Sequence, residues 1–336
     1  MNSNIETTVT SDFEYIRLQY LIWRCNGLQS PNKVQANAGK ALADIIGNGK
    51  KVPLIINCSQ VTSLANYSFD PICEKIKDSK RTVCFLYSSE IEMELGKYLR
   101  NSNLDFDTKS VELYSKTYYK NNKEESDRII TNCTDNAIGL CKNATDDEIK
   151  RVKSHLSKCF IKKDGFERLK STPILSNGAF NARKIISEPN AFMQTCLLLN
   201  EKISFIAENS RPKKPRIISV SLRASAFAGV IGQLNKMYVE IIDHIGPKYK
   251  LLENSKLSFD EQNFEYLFVG DFLIGGTEMK IANTYTHLKG SNIKDAIFLA
   301  SLLPPQDYES DINIYTLIPE NLNEINKTVE YKLFNG

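Results

Sequence analysis

Residues 266–278 read YLFVGDFLIGGTE, and the rest of the chain is organised around this stretch. An apolar run, Leu267, Phe268 and Val269, ends at a carboxylate, Asp271. Phe272, Leu273 and Ile274 follow, then Gly275, Gly276 and Thr277. A helical pattern comes next, with Ile281, Ala282, Tyr285 and Leu288 expected on one face. Strand, acid, glycine turn and helix together suit a phosphate. Glycines let the backbone approach an anion, and the unpaired N–H groups and dipole of a helix start favour negative charge. A threonine hydroxyl adds a donor, and the acid suits sugar hydroxyls or a hydrated Mg²⁺. The plain alternative is an ordinary strand, glycine turn and helix of any α/β protein.

The stretch resembles the phosphoribosyl pyrophosphate (PRPP) motif of type I phosphoribosyltransferases: a strand, two adjacent acids, two apolar residues and a threonine- and glycine-containing loop. The resemblance implies that Asp271 contacts ribose hydroxyls, and Mg²⁺ through water. It implies that Gly270, Ile274, Gly275, Gly276, Thr277 and Glu278 are ligand-binding, the last five forming the loop around the 5′-phosphate. Two positions depart from the pattern. Gly270 stands where the first acid is usual, and Ile274 or Gly275 where a threonine is usual, which puts turnover in question.

The preceding residues fit the same layout. Arg216–Ser221 reads as the first strand of a parallel sheet and leads into Leu222, Arg223, Ala224 and Ser225. In the family this is the pyrophosphate loop, often with a cis peptide, so Arg223, Ala224 and Ser225 are ligand-binding candidates; a routine turn with an exposed arginine is the alternative. Residues 238–243 (YVEIID) form the next strand. Residues 246–258 (GPKYKLLENSKLS) resemble the family's flexible flap. Lys248 and Lys250 would close over pyrophosphate and neutralise its charge. Further upstream, Asn177-Gly178 in ILSNGAFNARKII (174–186) reads as a hairpin turn, and Pro189 opens a helix with Phe192, Cys196, Leu199 and Ile203 on its face. Downstream, AIFLASLL (296–303) reads as a buried strand and residues 312–318 as an edge strand.

The N-terminal half alternates strands and helices, which predicts a sheet with helices packed on it. Strands are expected in 13–23, 52–58 and 82–87. Helices are expected around Ala38–Ile46, Phe69–Ile76 and Ile91–Leu99. The order resembles the STAS domain, a small α/β module. Residues 54–72 match its strand–turn–helix core, and Ala65, Asn66, Tyr67 and Ser68 stand where many members carry a phosphorylatable serine element. Residues 121–128 (NNKEESDR) read as a solvated loop. Thr145-Asp146-Asp147-Glu148 fits a capping box opening a helix, and the domain boundary is expected there.

The expected architecture is therefore α/β in two domains. Residues 1–12 are frayed, 13–145 form a STAS-like sheet with its linker, and 146–336 form a phosphoribosyltransferase-like parallel sheet flanked by helices. With 336 residues, 42% of them hydrophobic, the chain can build real cores. A formal net charge of +3 gives no electrostatic case for nucleic acid. No apolar run reaches a membrane span, and no signal peptide opens the chain. Eight cysteines without a CxxC pair read as buried free thiols of a reducing cytoplasm.

Two functions follow from the resemblance. In the first, ribose 5-phosphate passes from PRPP to a nitrogen acceptor, with Mg²⁺ and loss of pyrophosphate, through an oxocarbenium-like transition state. In the second, the chain binds PRPP or a nucleotide without turnover, as a sensor or interaction subunit of a bacterial regulatory or antiphage defence system. The STAS-like domain would then bind a protein partner. Family members often form homodimers.

Overall fold

The structure is a computed structural model. It describes residues 5–9, 13–18, 42–48, 52–58, 70–79, 82–87, 91–101, 111–115, 135–169, 174–210, 215–235, 237–242, 264–303 and 311–333. The chain divides into two compact units, Met1–Asp147 and Glu148–Gly336.

The first unit holds one five-stranded sheet. Its strands are β1 (Ile5–Val9), β2 (Glu14–Leu18), β3 (Leu54–Cys58), β4 (Val83–Tyr87) and β5 (Val111–Ser115), in that spatial order. β1 runs antiparallel to β2 and the others are parallel. Within the segment expected to be frayed, residues 5–9 form β1: backbone pairing from Ile5↔Leu18 to Val9↔Glu14 holds them, a force that side-chain periodicity does not report. α1 (42–48) buries Leu42, Ala43 and Ile46. α2 (Asp70–Ser79) buries Ile72, Cys73 and Ile76, and α3 (Glu92–Asn101) buries Leu95 and Leu99 beside Ile91. Ala65 to Ser68 and residues 121–128 lie outside the described residues.

α4 (Asp135–Lys158) is one continuous helix. It runs straight through Thr145, so the capping box there opens nothing. Ala144 packs with Phe13, Tyr15, Ile55, Cys84 and Leu86, and this apolar contact holds the earlier turns helical against the local cap signal. Val152 and Leu156, on the expected face, are buried in the second unit's core.

The second unit begins with a three-stranded antiparallel sheet of β6 (Phe160–Arg168), β7 (Ile174–Phe180) and, from the far end of the chain, β15 (Tyr331–Leu333). Asn177-Gly178 is therefore mid-strand, not a turn. The Asn177 side chain is buried and donates Nδ2–H to the Thr328 carbonyl at 2.8 Å. Its Oδ1 accepts the Glu330 N–H at 2.9 Å. Gly178 is required by close approach: a Cβ there would lie 2.4 Å from the Ile161 carbonyl oxygen and 2.5 Å from the Phe160 ring. Gly178→Ala should cost about 2 kcal/mol, as overpacking of a full core does, read as a lower melting temperature; an unchanged melt would contradict this packing.

The main sheet is fully parallel, in the order β14 (Asn313–Thr316), β12 (Asn292–Phe298), β10 (Glu265–Val269), β8 (Arg216–Ser219), β9 (Val239–Ile241). Its residues alternate between two cores, as a sheet covered on both faces requires. Ile217, Leu267, Val269 and Ile297 face α7 (Leu222–Asn235) and α6 (Pro189–Ser210). Ile218, Phe268, Ala296 and Phe298 face α8 (Thr277–Leu288). α8 buries Met279, Ala282 and Thr286, while Leu288 is exposed, so its core face is rotated from the expected stripe. The chain leaves β8 toward β9 on one side and toward β10 on the other. The C-terminal ends of β8 and β10 thus meet at a topological switch point, the place where open α/β sheets form a crevice.

Candidate functional site at the ends of β8 and β10

Two of the candidate charged residues, Arg223 and Asp271, issue from that switch point. Arg223 lies in the first turn of α7, directly after β8. Asp271 is the second residue after β10. Arg223, Ala224 and Ser225 are helical rather than in a loop: the Ser221 side chain accepts the Ala224 N–H at 3.1 Å and its carbonyl accepts the Ser225 hydroxyl at 2.7 Å, which starts the helix at once. Ala224 is buried, and the Ser225 hydroxyl is taken by that bond. Arg223 is the member of the trio that reaches the cavity. No cis peptide occurs among the described residues.

The Asp271 turn is stitched down by its backbone. The Asp271 carbonyl accepts the Leu299 N–H at 2.8 Å and that of Leu273 accepts the Leu302 N–H at 2.8 Å, while Phe272–Leu273 pairs with Ala300–Ser301. Gly276 caps α8 with φ +69, a left-handed conformation that glycine adopts without strain. The chain therefore turns sharply and presents the start of a 12-residue helix.

A cavity of about 110 Å³ opens over this turn, lined by Gly275, Gly276, Thr277, Glu278, Asp271 and Arg223, with Phe180, Phe272, Leu273, Ile274, Met279 and Phe298 as apolar walls. At roughly 10–15 Å³ per water, that is on the order of eight waters, enough for a phosphate and part of a sugar. Ile274, Gly275, Gly276, Thr277 and Glu278, proposed from sequence, are thus brought together with Asp271 and Arg223. Lys248 and Lys250 lie outside the described residues.

Asp271 is 5% exposed. Its Oδ1 accepts the Phe272 N–H at 2.8 Å. Among the described residues its Oδ2 has no hydrogen bond, although Arg223 Nε stands 3.2 Å away at ion-pair distance. Burial raises the carboxyl above the ordinary aspartate range, opposed by the Arg223 charge and the Phe272 N–H. Glu278, in the first turn of α8, is pushed up to about 7, chiefly by burial and then by the Asp271 charge, with Arg223 pulling the other way. A buried carboxylate oxygen without a hydrogen bond costs free energy, and its position on the cavity wall marks a place for a donor such as a sugar hydroxyl.

Gly270 does not line the cavity. A Cβ at this position would fall 2.4 and 2.5 Å from the Phe298 ring. The ring, packed at 5.5 Å from that of Phe268, occupies the space an acid here would need. Gly270, proposed from sequence as ligand-binding, thus packs against Phe298 rather than lining this cavity. Phe298 was missed from sequence because nothing local connects it to position 270. Among the described residues no group of three or more His, Cys, Asp or Glu side chains could hold a metal ion, and no helix is long and apolar enough to cross a membrane. Cys58, Cys73, Cys84, Cys159 and Cys196 are buried, and no disulfide joins them.

No protein-family model matches the sequence, and no curated protein matches it. Among solved structures, about half of the chain is similar to phosphoribosyltransferases. The orotate phosphoribosyltransferase of Aeropyrum pernix is 14% identical over 52% of this chain and 96% of its own, with a TM-score of 0.40. The adenine phosphoribosyltransferase of Saccharomyces cerevisiae is 13% identical over 50% of this chain and 99% of its own, with a TM-score of 0.37. The UMP synthase of Leishmania donovani is 10% identical over 88% of this chain and 82% of its own, with a TM-score of 0.39.

Proposed function

We propose that the second unit binds a sugar phosphate, PRPP or a nucleotide, at the β8–β10 switch point. The observation that carries this reading is the buried Asp271 Oδ2, without a hydrogen bond among the described residues, on the wall of a cavity floored by the Gly275–Thr277 turn. The turn and helix start would hold the 5′-phosphate, with the Thr277 hydroxyl as a further donor. Asp271 would accept from a ribose hydroxyl, and Arg223 would leave its ion pair to contact pyrophosphate. The ligand's own phosphates would hold Mg²⁺, whose charge offsets theirs, with Asp271 joined to it through water at most. Transfer of ribose 5-phosphate to a nitrogen acceptor is the reaction this arrangement serves.

The packing of Phe298 against Gly270 favours a second reading, binding without turnover, because one carboxylate rather than two is left to fix the ribose. The first unit, a mixed sheet covered by helices, would then be the STAS-like part that meets a protein partner in a regulatory or defence assembly, with the whole acting as a homodimer.

Calorimetry with PRPP and Mg²⁺ tests the site, and pyrophosphate release over a panel of bases separates the readings. Binding should be weakened at least about tenfold by Asp271→Asn, the scale of one charge-assisted hydrogen bond. Release that disappears in this variant supports the transferase; binding without release supports the sensor. Absence of binding by the unaltered protein contradicts both.

A further inference from the structure

Three charged side chains share the cavity, and their sum is the unusual feature. Arg223 contributes +1, and Asp271 and Glu278 each carry −1 when ionised. A floor built of glycine backbone and a helix start attracts an anion, yet with both acids ionised the side chains oppose it. Asp271 has a compensating guanidinium at 3.2 Å. Among the described residues Glu278 has no ion pair of its own, and Arg223, whose charge reaches it, is already engaged by Asp271. The other walls bring no charge: Phe180 from β7, Phe298 from β12, and Phe272, Leu273, Ile274 and Met279 are apolar. Cys159, near enough for the Asp271 charge to act on it, is held as a neutral thiol by burial. Lys280, one turn into α8, is exposed.

We propose that Glu278 sets the specificity of this cavity by carrying a proton: in its neutral form its carboxyl O–H donates to an oxygen of a bound tetrahedral dianion, and in its ionised form it repels that anion. The inference rests on the reading of the turn as a phosphate site and adds a stoichiometry to it. One proton is taken up from solution when the anion enters with Glu278 ionised, and released when it leaves; no covalent bond changes. Burial and the Asp271 charge poise the carboxyl near neutrality, so the coupling falls within an accessible range.

Sulfate is the suitable probe, because its own charge does not change above pH 5, whereas a phosphomonoester titrates near pH 6. Calorimetric titration of the full chain with sodium sulfate at constant ionic strength should give an affinity that falls about tenfold between pH 6 and pH 8, as single-proton linkage requires. Repeating the pH 8 titration in two buffers of different ionisation enthalpy should give uptake of close to one proton per sulfate. Glu278→Gln keeps the shape and a donor but cannot ionise; its affinity should stay within about twofold across the range. Binding by the unaltered protein that is independent of pH, or that strengthens as pH rises, overturns the proton coupling while leaving the phosphate site standing. Sulfate bound by neither protein at any pH overturns both.

Discussion

Gly270→Asp should destabilise the second unit by about 4 kcal/mol or more. Overpacking a well-filled core costs about 1–3 kcal/mol. Burying a carboxylate without a partner adds several more. The new Cβ would meet the Phe298 ring at 2.4 Å, and the ring is pinned by Phe268 and by the core under α8. Against a stability of about 5–15 kcal/mol for a typical domain, such a loss is large. Gly270→Ala should show the steric part alone, and Phe298→Ala combined with Gly270→Asp should recover that part. Denaturant unfolding of the three variants is the measurement. A Gly270→Asp protein as stable as the parent would mean that the ring yields easily and that position 270 remains open to a second acid.

Arg223→Ala should destabilise the protein at neutral pH and much less in acid. Asp271 is 5% exposed and its ionised form depends on the guanidinium at 3.2 Å. Removing one partner of a buried pair costs about 3–5 kcal/mol. Arg223, however, is 38% exposed, so solvent already screens the pair and about 1–3 kcal/mol is the better expectation. The sign with pH follows from the direction of the shift. Burial raises the Asp271 carboxyl, and loss of Arg223 raises it further. An acid raised in the fold binds more protons folded than unfolded, so stability falls as pH climbs above the ordinary aspartate range. The penalty should therefore be present at pH 7.5 and fade toward pH 4. Melting should drop about 2–4 °C per kcal/mol for a unit of this size. Arg223→Ala with Asp271→Asn should restore the melt. A deficit that stays constant with pH would point to lost packing instead.

Which parts of this site could be read from sequence follows from how local their causes are. The strand Glu265–Val269, the glycine turn and the start of α8 were legible because each is written within a few consecutive residues: an apolar run, two glycines, then a threonine. The helical state of Arg223 was not, because Ser221 caps the helix immediately and leaves no loop between β8 and α7. Asn177-Gly178 carries a strong turn signal, but Gly178 pairs with Lys162 of β6 and the Asn177 N–H donates to the Glu330 carbonyl, which keeps the two residues extended. β6 itself was missed: eight of its nine residues are exposed, so it has no apolar alternation to find. The packing of Phe298 on Gly270 and the burial of Glu278 beside Asp271 depend on distant segments meeting, which periodicity does not encode.

A crystal structure of the full chain grown with PRPP and Mg²⁺ tests the phosphate site most directly. The 5′-phosphate is expected against the backbone N–H groups of Gly275 to Thr277, with a sugar hydroxyl donating to Asp271 Oδ2. A cavity left to water at saturating ligand, or ligand density bound elsewhere, would contradict it.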